Sequence, residues 1–153
     1  MKFKILLILL YFTLTGKAQI TVGGNASVTF TNGLYADLSP IVGYKIKKFN
    51  AGFSPFFAYF QQLPSSPNYS YGARTFGQYS LFNGLFLHAE VEASNIKVAT
   101  IRKWILGLPL GGGFEREIAE NTRVQCIILY DVLLDKNSQK QNPEIRGGIV
   151  YTF

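Results

Sequence analysis

Residues 146–153 read Arg-Gly-Gly-Ile-Val-Tyr-Thr-Phe, and their character repeats every two positions. Arg146, Gly148, Val150 and Thr152 fall on one face; Gly147, Ile149, Tyr151 and Phe153 fall on the other. A period of two belongs to a β-strand, whose successive side chains point to opposite sides. One face here is aromatic and apolar and the other is small or polar. A wall with lipid outside and a polar interior imposes that division.

The same period recurs between turn signals along the chain, and helical periodicity is hard to find. Eight strands are expected, at about 19–30, 35–46, 50–62, 69–80, 85–95, 104–116, 122–133 and 144–153. In the first, Thr21, Gly23, Asn25, Ser27 and Thr29 oppose Ile20, Val22, Ala26, Val28 and Phe30. In the fifth, His88, Glu90, Glu92 and Ser94 oppose Leu87, Ala89, Val91 and Ala93. Strands of this length cross an outer membrane at the usual tilt.

The connections alternate between tight and long. Tight ones are expected at Lys47-Lys48, Phe82-Asn83-Gly84 and Ala119-Glu120-Asn121, and longer ones at 63–68, 96–103 and 134–143. Short periplasmic turns and longer outer loops are the pattern of outer-membrane barrels. Thr31-Asn32-Gly33-Leu34 is the exception, a short outer turn built on Asn-Gly. Aromatic residues on the lipid side form two bands, with Tyr71 and Trp104 toward the outer strand ends and Tyr44 and Tyr151 toward the inner ones. Three prolines sit inside expected strands, where they cannot donate to a ladder. With Lys47-Lys48 as the turn, Pro40 faces Pro55 and Gly43 faces Gly52, which reads as one shared bulge or kink. Pro109, two residues before Gly111-Gly112-Gly113, marks a second bend.

At the start of the chain, Lys2 and Lys4 precede the apolar run Ile5–Phe12, and Gly16-Lys17-Ala18 provides small residues before Gln19. This is the layout of a secretory signal peptide spanning 1–18, too short for a membrane helix. Its removal discards three lysines and no acid, so the formal net charge falls from +6 to +3 and nucleic-acid binding gains no support. What remains, 19–153, is the length of one domain. Cys126 is the only cysteine, which excludes an internal disulfide and a thiolate metal cluster. No cofactor or metal site is expected.

Eight strands leave an interior just wide enough for side chains. The inward-facing charges Arg74, Glu90, Glu92, Glu115, Arg123, Asp131, Glu144 and Arg146, with His88, are expected to form a lumenal ion-pair network, because unpaired charges there are costly. With Gly84 left-handed in a three-residue loop, Arg74 faces Glu92 and Gln78 faces His88. Glu115 and Arg123 face each other across the next tight hairpin. Catalysis at His88 would need a serine in hydrogen-bond reach, and the nearest candidates, Ser80 and Ser94, are at least two pairs away. Lys97, Arg102, Lys103, Lys136 and Lys140 give the outer loops a basic rim, a candidate contact for the phosphates of lipopolysaccharide. Ordinary solvated loop charge is the competing explanation.

The end of the chain also resembles the C-terminal strand by which bacterial outer-membrane barrels are recognised for insertion, through Arg146, Gly148, Tyr151 and Phe153. The chain as a whole resembles small outer-membrane β-barrel proteins of the Bacteroidota. The resemblance rests on Ser39-Pro40-Ile41-Val42-Gly43-Tyr44, Tyr71-Gly72-Ala73-Arg74, Leu87-His88-Ala89-Glu90, Gly111-Gly112-Gly113-Phe114, Leu129-Tyr130-Asp131-Val132-Leu133 and Asn142-Pro143-Glu144-Ile145-Arg146-Gly147-Gly148. In size it is similar to OmpA-type and OmpX-type barrels. The resemblance implies location and topology and carries no activity.

The expectation is therefore an all-β, eight-stranded antiparallel up-and-down transmembrane barrel behind a cleaved signal peptide. It is expected in the outer membrane as a non-enzymatic monomer, with outer-membrane lipid and the barrel-assembly machinery as partners. A lipid-modifying enzyme and a soluble lipocalin-like barrel are the alternatives. Deleting Phe153 is expected to deplete the protein from the outer-membrane fraction, measured by fractionation and by gel migration before and after heating. Unchanged accumulation would refute the signal role of the last strand.

Overall fold

In hydrocarbon, strands must hand their backbone polar groups to one another and leave no open edge. The computed structural model describes residues 19–30, 33–61, 67–98, 100–133, 135, 138, 140 and 142–153. The expected signal peptide, Asn32 of the Asn-Gly turn and Lys136 lie outside the described residues. Within them run β1 (Gln19–Thr29), β2 (Leu34–Ile46), β3 (Phe49–Gln61), β4 (Asn68–Ser80), β5 (Leu85–Val98), β6 (Ile101–Gly107), β7 (Pro109–Ala119), β8 (Thr122–Asp131) and β9 (Glu144–Thr152). All pairings are antiparallel, and β9 returns to β1 from Thr21 opposite Thr152 to Ala26 opposite Gly147. β6 and β7 are halves of one barrel strand, since β5 meets both in one register, Glu92 opposite Gly107 and Ala89 opposite Leu110. The fold is a closed eight-stranded antiparallel β-barrel.

The turns follow from residues that tolerate left-handed backbone. Lys47 (φ 53°), Asn83 (φ 50°), Gly84 (φ 82°) and Asn121 (φ 59°) occupy the three tight connections. The turn at Gly84 sets Arg74 opposite Glu92 and Gln78 opposite His88.

Of three expectations about backbone, two need correction and one is met. Pro40 and Pro55 do not make a bulge. Leu38 opposite Phe57 and Val42 opposite Phe53 share one register, so no residue is inserted between them. Neither proline has an N–H for the other, and the Pro40 carbonyl instead accepts from the Ser54 hydroxyl at 2.8 Å. The irregularity between β7 and β8 falls at Glu117/Ala119. The second break falls where Pro109 marks it, at Leu108 between β6 and β7, and the glycines beyond remain paired with β5 and β8. There the Leu108 N–H donates to Asp131 Oδ1 at 2.8 Å and its carbonyl accepts from Val132 at 3.2 Å. Finally, 96–103 is not a long loop. β5 and β6 pair up to Val98 opposite Ile101, beyond the last β4–β5 pair at Tyr71 opposite Asn95.

Burial divides the wall cleanly. Leu38, Val42, Leu87, Val91, Ile128 and Ile149 are more than half exposed on the outside, while Thr21, Asn25, Ser39, Ser54, Gln125 and Thr152 are buried inside. Three lumenal phenylalanine rings find room because a glycine stands opposite each. Phe56 faces Gly72, Phe76 faces Gly52 and Phe86 faces Gly113. A Cβ on Gly52 would come 2.6 Å from Phe76 Cζ, and one on Gly113 would come 2.5 Å from Phe86 Cζ. Gly52→Val is expected to lower unfolding stability by about 1–3 kcal/mol, as overpacking of a filled interior does. Urea titration in detergent micelles measures this, with Phe76→Ala relieving part of the loss.

Candidate functional site

Charged side chains meet inside the lumen. β4 supplies Arg74, β2 Asp37, β5 His88, Glu90 and Glu92, and β9 Glu144 and Arg146, all on inward-facing positions of their strands. The Arg74 guanidinium donates to both oxygens of Asp37, at 3.1 and 2.8 Å, and through Nε to Glu92 at 2.7 Å. It lies 4.0 Å above the Phe56 ring. Arg146 repeats the pattern one layer away. Its Nε and Nη2 hold Glu144 at 2.8 and 2.9 Å, and its Nη1 donates to both oxygens of Glu90 at 2.8 Å. Glu90 links the halves, at 3.9 Å from Arg74 Nε. Planar bidentate pairing of this kind is the strong form of the carboxylate–guanidinium contact.

Short side chains occupy the remaining lone pairs. Ser39 donates to Asp37 and Ser27 to Glu144, each at 3.3 Å, and Ser94 donates to Glu92. Of the charged residues expected in the network, Arg74, Glu90, Glu92, Glu144 and Arg146 meet in it. Glu115 and Arg123 do not face each other as expected, since Arg123 stands opposite Glu117 and Glu115 opposite Gln125; they form a separate, diagonal and partly exposed pair at 3.1 Å nearer the tight turns, where Arg123 also donates to Thr152 at 2.7 Å. Asp131 stands apart. It caps the broken strand through Leu108, and its own N–H donates to Asn142 at 2.9 Å.

One residue that sequence placed on the outer rim sits elsewhere. Lys140 reaches from the 132–143 connection into the lumen, where its ammonium pairs with Glu92 and lies 5.2 Å from the Phe56 centroid. Its side chain is 8% exposed, so it offers little to an external ligand. Nothing in its local sequence separates it from its neighbours. Of the other rim candidates, Lys97 and Arg102 face each other on adjacent strands, and Lys103 lies opposite buried Ile96.

His88 is buried, stacked on Phe76 at 5.7 Å, with Nε2 2.7 Å from Glu90. Its partner carboxylate is held by Arg146, and the Ser94 hydroxyl, six residues along the strand, is committed to Glu92. The described hydrogen bonds therefore do not join a serine to this histidine, and the nucleophile–base contact that acyl chemistry requires is not formed. Among the described residues no cluster of His, Cys, Asp and Glu could hold a metal ion. The faces also contradict the soluble lipocalin-like alternative, which needs apolar residues inside and polar ones outside.

No family model matches the sequence, and no curated protein matches it. Solved structures do. Neisserial surface protein A aligns over 89% of this chain and 97% of its own, at 12% identity and a TM-score of 0.51. The N-terminal β-barrel domain of Pseudomonas aeruginosa OprF aligns over 89% and 96%, at 14% identity and 0.56. Yersinia pestis outer membrane protein Ail, determined in a phospholipid bilayer nanodisc, aligns over 90% and 99%, at 12% identity and 0.56. What they share with this chain is the fold.

Removing one member of a buried pair leaves its partner's charge stranded. Arg74→Ala and Arg146→Ala are each expected to lower stability by about 3–5 kcal/mol. Glu115→Gln, at the partly exposed pair, should cost no more than about 1 kcal/mol. Urea midpoints of the folded barrel distinguish the two classes, and equal effects would refute the network as a structural unit.

Proposed function

We propose that this protein is an integral outer-membrane β-barrel, exported by the signal peptide at 1–18. It acts as a monomeric, non-enzymatic element of the envelope whose contacts are made by its wall and rim. The observation that carries this reading is the inside-out distribution of residues. An apolar exterior has no stable place in water, and the buried ion pairs of Arg74 and Arg146 cross the lumen. The likeness to three outer-membrane barrels supports the location. The sequence motifs support a source among the Bacteroidota, and the Arg146–Phe153 pattern supports insertion by the barrel-assembly machinery.

The reading is tested by expressing the precursor in a Gram-negative host and comparing heated with unheated outer-membrane fractions by gel. The folded barrel should migrate differently until heated, and the purified protein should give no sustained conductance steps in planar bilayers. A soluble periplasmic product without a heat shift would overturn the location. Steady conductance would overturn the filled lumen.

A further inference from the structure

The extended β5–β6 hairpin carries two cations side by side on its outward face, since Lys97 stands directly opposite Arg102. Like charges directly opposite on neighbouring strands destabilise a sheet. None of the described partners of Arg102 carries a negative charge that would cancel that repulsion. Nη1 donates to Asn95 Oδ1 at 3.0 Å, Nη2 donates to the Tyr69 carbonyl at 3.4 Å, and the guanidinium lies 5.1 Å from the Tyr71 centroid. Asn95 is a polar residue only 6% exposed on the lipid-facing side of its strand, held beneath the guanidinium. Arg102 is thus fixed in place with donors to spare, since a guanidinium has five N–H groups.

The surroundings indicate what the spare donors meet. Trp104 and Leu106 follow Arg102 on the same face, 64% and 66% exposed, and Tyr71 packs edge-on to Trp104 at 6.2 Å. Aromatic rings of this kind mark the headgroup level, and the face beyond them is apolar. A ligand matching this surface has an anion at Arg102 and Lys97 and hydrocarbon along Trp104 and Leu106. A free anion would use only the first half. Resting on the outer-membrane reading, we infer that Arg102 and Lys97 bind a phosphate of lipopolysaccharide at the end of the barrel opposite the chain termini. Lys140, with its ammonium in the lumen, takes no part, and Lys103 lies on the other face of the hairpin.

The test measures lipid retained by purified barrel in nanodiscs containing lipopolysaccharide, phosphatidylglycerol or phosphatidylcholine, with inorganic phosphate as competitor. Wild-type protein should enrich lipopolysaccharide over both phospholipids. Arg102→Gln should reduce that enrichment about tenfold, the loss expected for a charge-assisted hydrogen bond. Arg102→Lys, which keeps the charge but not the fork, should lose less, and Lys140→Gln should leave enrichment unchanged. Equal enrichment in wild type and in the Lys97→Gln/Arg102→Gln double variant would overturn the site. So would a preference for phosphatidylglycerol, or displacement by inorganic phosphate. Heat-shifted migration of each variant keeps this outcome separate from the barrel reading, which only a missing heat shift in wild type would refute.

Discussion

Arg74 and Arg146 are each 1% exposed, and a guanidinium cannot shed its charge to escape a dry interior. Everything around them follows from that constraint. Carboxylates must reach them from several strands, and they do: Asp37 from β2, Glu90 and Glu92 from β5, and Glu144 from β9. A slip of β4 by one residue would turn Arg74 into lipid and strand Asp37 and Glu92 inside. The ion pairs therefore select one register for strands whose backbone ladder alone would accept others. Their worth lies in that specificity more than in net stabilisation, since desolvation consumes much of the Coulomb gain of a buried pair.

The same demand for partners governs the backbone where proline interrupts it. Opposed at one position, Pro40 and Pro55 lose their mutual bonds together, and Ser54 serves the carbonyl left over. At Pro109 the repair is longer range. Asp131 leaves the lumenal charge set to accept from Leu108, and Asn142 then ties Asp131 to the last connection through its N–H and its carbonyl. Asp131 thus joins the gap at Leu108, through its carboxylate, to Asn142, through its backbone.

This chain shows which features a period-2 reading captures and which it does not. Strand existence, the inward face and the Arg74–Glu92 register were legible, because alternation and turn chemistry are local: Gly84 at φ 82° fixes the pairing on both of its flanks. The length of the β5–β6 hairpin was not legible, because Lys97, Arg102 and Lys103 look like loop residues until Val98 is seen opposite Ile101. Asp131 looked lumenal by parity, and its diversion to Leu108 depends on a break that Pro109 causes on the neighbouring strand. Lys140 is the hardest case. Its destination is set by an acid 48 positions earlier in the chain, a relation that no local pattern carries.

The placement of rings against glycines bears on what the barrel can do. Beside the ion pairs the lumen holds a buried cluster of Phe86, Ile127 and Leu129, and Tyr35, Phe56 and Ala58 form another. Phe56 and Phe86 have a glycine opposite them on the neighbouring strand, Gly72 and Gly113. A solute crossing the barrel would have to displace both close-packed apolar side chains and bidentate ion pairs, two obstacles that do not yield to the same change. An interior built from both kinds of contact is committed to rigidity, which leaves the outward face and the rim as the surfaces free to recognise anything.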